Sequence, residues 1–168
     1  TAWFMVGMIQ ILVLLAVVGP LQRWRPVEVM NSPTDRASIR VDMLYTLIHR
    51  LGLFRLVLFF TLGPWFDEGF GALRTAGYGT FHLDQLWPGV TDNALASLLI
   101  YLLVFDFVGY WTHRGQHQLS WWWRLHALHH SQRQMTMWSD NRNHLLDSML
   151  VDIIVVVVAQ LIGVPPEQ

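Results

Sequence analysis

Long apolar stretches set the first limit on what this chain can become. Residues 2–19, 41–66, 94–111 and 145–164 are dominated by Leu, Val, Ile, Phe and Ala. At about 1.5 Å per residue, a helix of about 20 residues crosses a bilayer core of about 30 Å. Only 14% of the residues are charged and mean hydropathy is +0.34. A water-soluble domain carries roughly 25% charged residues, so there is too little polar surface here to coat a globule. The expectation is an all-α integral membrane bundle with four hydrophobic segments, forming one domain over residues 1–168.

The four segments differ. The first has one polar residue, Gln10, and is expected to end at Pro20. The second carries Asp42, His49, Arg50 and Arg55 in its first half. It reads as one long helix that starts at the interface, enters the membrane near Leu51 and closes at Gly63-Pro64. The third contains a single acid, Asp106. The fourth has Asp147 and Asp152 near its start, followed by a β-branched run over residues 153–158. In a 20-residue apolar window that run reads as a membrane helix and not as a strand. Asn31-Ser32-Pro33-Thr34-Asp35 is turn chemistry, and the Gly-rich residues 67–93 read as an interfacial loop.

All eleven basic residues are Arg. Four fall in residues 21–40, one in 67–93 and four in 112–144, so the positive-inside rule puts the first and last of these on the cytoplasmic side. Net charge is −1, which removes any electrostatic case for nucleic acid. Cysteine is absent, so disulfides, zinc–thiolate sites and iron–sulfur clusters within the chain are excluded. Any metal must be held by His, Asp or Glu. The chain starts without Met and ends directly after an apolar run, which reads as a fragment.

Six of the eight histidines lie between residues 113 and 144. His113 and His117 are spaced i, i+4 and share a face of any helix continuing from the third segment. His126, His129 and His130 are spaced i, i+3, i+4 and would share a face of a second helix. Helical bundles build metal sites from such inward-facing ligands. Imidazole suits iron, zinc, copper and nickel alike. Five or six histidines exceed what one zinc requires, so two metal ions are the better reading. The bland alternatives are a loose metal buffer or a proton-responsive patch. His49 and His82 read as ordinary interfacial histidines.

A ligating histidine usually gives its other N–H to a carboxylate, carbonyl or water. Asp106, Tyr110, His113 and His117 step by four, three and four, which aligns them on one face. Asp106, an acid within a membrane segment, is therefore a candidate to orient a ligand; a helix–helix hydrogen bond is the other reading. Asp147 and Asp152 carry the same pair of readings. Arg114, Arg124 and Arg142 read first as interface or lipid-headgroup contacts. The Trp121-Trp122-Trp123 run reads as an interfacial anchor.

The run from Asp106 through Tyr110, His113 and His117, continued by His126-Ala127-Leu128-His129-His130-Ser131, resembles the fatty acid hydroxylase/sterol desaturase superfamily. That pattern is HxxxH, then HxxHH, then a third HxxHH-type box nearer the C-terminus. The resemblance implies a di-iron centre that activates O₂ and attacks an unactivated C–H bond of a lipid. It implies iron ligation by His113, His117, His126, His129 and His130, with His144 as a sixth candidate. Asp106, Tyr110 and Arg142 stand beside the ligands as supporting residues.

Two departures from the pattern stand out. No third box occurs within these 168 residues, so this piece is expected to be inactive on its own. Many members also carry Arg-x-His-Pro where this chain has Arg142-Asn143-His144-Leu145.

The expected function is O₂-dependent hydroxylation or desaturation of a fatty-acyl, sterol or related lipid. Electrons would come from an external reductase and small carrier, since no flavin, haem or iron–sulfur motif is present. Carotenoid hydroxylases and acyl-chain desaturases use the same boxes and are the close rivals. A metal-handling membrane protein is the rival from another class. It would want ionisable residues along a path at mid-membrane, whereas these histidines gather at one end of their segments.

Overall fold

The computed structural model describes residues 2–26, 33–132 and 135–163, and among them the regular elements are helices and helical turns, without a strand. The chain divides into two compact units, residues 1–61 with 124–145, and residues 62–123 with 146–168. Three helices are long and apolar enough to cross a membrane, and a bent pair supplies a fourth candidate. The all-α membrane architecture expected from the apolar runs is therefore observed.

The first unit begins with α1 (Ala2–Val13), a π-helical turn (Leu14–Val18) and α2 (Gly19–Trp24). Together they give one apolar run, Phe4–Trp24. Pro20 does not end the helix, contrary to the sequence expectation. A proline inside a regular helix would clash with the carbonyl four residues back. Here the Gly19 N–H bonds the Leu14 carbonyl, five residues back, and this wider turn lets the helix continue past the ring.

The second hydrophobic segment is not one long helix. It comprises α3 (Pro33–Arg50) and α4 (Leu53–Thr61), bent by 46° at the break. Gly52 sits at φ +70°, the left-handed conformation that closes a helix and that glycine adopts without penalty. The Asn31-Ser32 half of the expected turn lies outside the described residues.

Asp42, Thr46 and Arg50 repeat every four residues, so they line one side of α3. Each binds residues 138–142. Arg142 donates to Asp42 and, at 2.7 Å, to Ser38 Oγ. Thr46 Oγ1 donates to the Trp138 carbonyl at 3.1 Å. Arg50 donates to Asp140 at 3.4 Å and to Gln10 of α1 at 2.9 Å. Gly7 of α1 lies so close to α3 that a Cβ there would sit 1.6 Å from the Arg50 carbonyl oxygen. Arg50 thus ties three segments of this unit together.

In the second unit, α5 (Gly63–Thr75) starts at Gly63-Pro64. The sequence expectation made this dipeptide a terminator. Proline fits the first helical turn because its missing N–H has no partner there anyway. The helix occupies part of the stretch expected to be loop.

Helix α6 (Ala94–Gln118) is opened by Asn93, whose side chain accepts from Leu95 N at 3.0 Å and Ala96 N at 3.4 Å. It runs antiparallel to α8 (Leu145–Ile162). Gln116 near the end of α6 bonds Asp147 near the start of α8 at 2.7 Å, while the Tyr101 hydroxyl lies 3.2 Å from the Ile162 carbonyl. The same hydroxyl is 3.1 Å from Asp84. The β-branched run of residues 153–158 is helical, as expected in an apolar window. After Leu119, the short α7 (Ser120–His126) follows.

Candidate metal centre

Helix α6 continues unbroken past the apolar segment and carries His113 and His117 at its end. Their rings pack 4.8 Å apart, centroid to centroid. A nitrogen of one lies within 4.8 Å of a nitrogen of the other. At 3.6 residues per turn, Asp106, Tyr110, His113 and His117 fall within an arc of about 60°. All four are exposed, whereas Tyr101, Thr112 and Gln116, which lie outside that arc, are buried. The helix therefore turns one face inward to its own unit and leaves the histidine face open.

His113 is held from the side. Its Nδ1 lies 3.2 Å from Gln116 Oε1. Gln116 Nε2 donates to Asp147 Oδ1 at 2.7 Å, and the indole N–H of Trp122 donates to the same oxygen at 2.7 Å. Gln116, Trp122 and Asp147 are all buried. Gly115 makes room for the indole: a Cβ there would sit 3.3 Å from Trp122 Cζ3. Trp122 is thus an internal donor, and only Trp121 and Trp123 of the triplet are exposed. Asp106 is seven residues from His113, about 10 Å along the axis. Asp147 is a carboxylate joined to His113 through hydrogen bonds, by way of Gln116.

The other histidine set, in the first unit, is built differently. His126 ends α7, and His129 and His130 lie in a 3₁₀ turn with Ser131. They do not share one α-helix as their spacing suggested. Their rings nevertheless form one cluster, with centroid separations of 5.0 to 5.4 Å. His126 Nε2 and His130 Nε2 are 3.3 Å apart. Two nitrogens at roughly 2.0–2.1 Å from one metal, at right or tetrahedral angles, would be about 2.8–3.4 Å apart. The pair thus already stands at the spacing of adjacent ligands. His129 Nδ1 is buried without a hydrogen-bond partner among the described residues, and a metal ion would satisfy its lone pair. The donor set fits a metal ion.

Residues 98–168 match the fatty acid hydroxylase family. The match covers α8, α7 and nearly all of α6, with both histidine sets and Asp147. It supports an enzyme of oxidoreductase type acting broadly as lipid hydroxylases and desaturases do. No curated protein and no solved structure matched the chain.

The remaining candidates take up distinct positions. His144 is half-buried and immediately precedes α8. Arg142 spends its guanidinium on Asp42 and Ser38, holding residues 138–142 on α3. The Tyr110 hydroxyl accepts from Arg114 Nη1 at 2.9 Å. Gln116 was not singled out from sequence. The signal was present: Gln116 lies three residues after His113, within reach on a helix, and on the side away from the exposed histidine face.

Proposed function

We propose that the chain is the histidine-box part of a membrane di-iron enzyme that oxidises a C–H bond of a fatty-acyl, sterol or related lipid with O₂. The observation that carries this reading is the 3.3 Å separation of His126 Nε2 and His130 Nε2 beside the buried His129 Nδ1, which has no hydrogen-bond partner among the described residues. In this reading His113 and His117 join the His126, His129 and His130 set around two irons, and His144 completes the six.

When bound, the irons would take up O₂ and supply the oxidising power; an external reductase and small carrier would supply two electrons. Hydroxylation converts O₂, two electrons, two protons and C–H into C–OH and water. Desaturation removes two hydrogens and gives two waters. The chain's own residues hold the metals and orient the imidazoles. The exposed side of α6 continues from the histidines along Tyr110 to Asp106, so a lipid chain could lie along this face. Arginines near both histidine sets, Arg114 and Arg124, support a cytoplasmic position for the centre.

The test is the intact gene product in lipid nanodiscs. Elemental analysis should find two irons per chain, and the lipids should gain a hydroxyl group or a double bond only with O₂ and an electron donor. His126→Ala and His130→Ala should each lose iron. One tightly bound zinc with no iron would overturn the proposal.

A further inference from the structure

Asp147 is 2% exposed and Gln116 is 5% exposed. Both stand beside His113 without belonging to a histidine box. A carboxylate can only accept, so the 2.7 Å contact from Gln116 must be made by its NH₂ group. The indole N–H of Trp122 donates to the same Asp147 oxygen at 2.7 Å. Asp147 also lies in the first turn of α8.

Once its NH₂ is committed to Asp147, the Gln116 amide can present only its oxygen to the other side. That oxygen faces His113 Nδ1 at 3.2 Å. An amide oxygen accepts, so His113 must carry its proton on Nδ1. A neutral imidazole has only one N–H, and its lone pair is then on Nε2.

We propose that Asp147, acting through Gln116, holds His113 in the Nδ1–H tautomer and so presents Nε2 as its metal-binding nitrogen. Gln116 and Asp147 are positioning residues: neither reaches the metal. The inference rests on the metal reading above only for its consequence. The tautomer belongs to the metal-free protein. Trp122 and the space left by Gly115 complete the arrangement, because without the indole donor Asp147 would be buried with one fewer partner.

The experiment uses the full-length, metal-free protein in nanodiscs with ¹⁵N-labelled histidine, at a pH well above the ordinary imidazole pKa. The His113 signal is identified by its loss in His113→Asn. The ¹⁵N shifts should report protonated Nδ1 and bare Nε2. Gln116→Leu keeps the side-chain bulk but removes the acceptor. It should shift His113 toward the Nε2–H tautomer that free histidine favours and weaken metal binding about 10- to 100-fold.

Gln116→Glu retains an acceptor for Nδ1–H and should keep the tautomer. Because a buried Glu beside Asp147 could disturb folding, the His117 and His130 signals serve as the folding control. An Nε2–H tautomer in the parent protein would overturn the inference, as would an unchanged tautomer in a folded Gln116→Leu variant. A parent protein with the Nδ1–H tautomer that binds no iron would overturn the di-iron reading and leave the tautomer assignment standing.

Discussion

Arg142 offers the sharpest test of how residues 138–142 are held. Its side chain is 11% exposed and that of its partner Asp42 is 2% exposed. The guanidinium also donates to Ser38 Oγ at 2.7 Å and to the Ser38 carbonyl at 3.2 Å. Arg142→Met preserves most of the stem and its packing but strands the Asp42 carboxylate in a site water barely reaches. Breaking a buried pair from one side costs about 3–5 kcal/mol. At 2–4 °C per kcal/mol for a chain of this size, the melting temperature should fall by about 6–20 °C.

Removing both charges is a different matter, because the pair was costly to desolvate in the first place. Asp42→Leu with Arg142→Met should recover most of the loss. The assay is a double-mutant cycle on thermal unfolding in one detergent, with Ser38→Ala as a control for the neutral hydrogen bond. If Arg142→Met costs less than about 1 kcal/mol, the pair behaves like an exposed one. The segment would then be held by Thr46 and the buried Trp138 instead.

Gly7→Ala should destabilise α1 against α3 by at least about 3 kcal/mol, the upper end for ordinary overpacking, because the obstructing atom is the backbone oxygen of Arg50 and not a mobile side chain; thermal unfolding in detergent reads it, and a neutral result would mean the helices are farther apart. Asp106→Asn should keep the fold and reduce iron retention or turnover about 10- to 100-fold if the carboxylate supports the centre along the open face of α6; unchanged iron content and activity would leave it a packing role.

The long elements were legible because they rest on composition and local rules. Residues 94–118 read as a helix from their apolar run and the i, i+4 histidines, and Asn93 supplies its cap. What the sequence left hidden depends on which neighbour each residue meets. Pro20 looks like a terminator until Gly19 reaches back five residues to Leu14. Gly63-Pro64 can close one helix or open the next, and position alone does not distinguish these uses. Trp122 cannot be told from Trp121 and Trp123 by composition, yet it alone of the three is buried, with its N–H on Asp147. Arg50 and Arg142 look like interface arginines, but their acceptors, Asp140 and Asp42, lie 90 and 100 residues away in sequence.

The second histidine set shows why residue spacing can point to the right atoms through the wrong local structure. On a regular helix, residues i and i+4 are separated by about 6 Å of rise, and imidazoles side by side on that pitch need not bring their nitrogens to one point. His113 and His117 keep this regular geometry, with nitrogens within 4.8 Å. Between His126 and His130 the α-helix stops, the chain turns through Ala127 and Leu128, and a 3₁₀ turn begins at His129. The same i, i+4 spacing now brings Nε2 to 3.3 Å from Nε2. A Leu128→Ala substitution would favour continuing helix without touching any imidazole or adding a ligand. If the departure from helix is what sets the ligand spacing, this variant should lose metal affinity while His126, His129 and His130 all remain. Equal iron content in the variant and the parent would show that the bound metal, and not the local backbone, gathers these side chains.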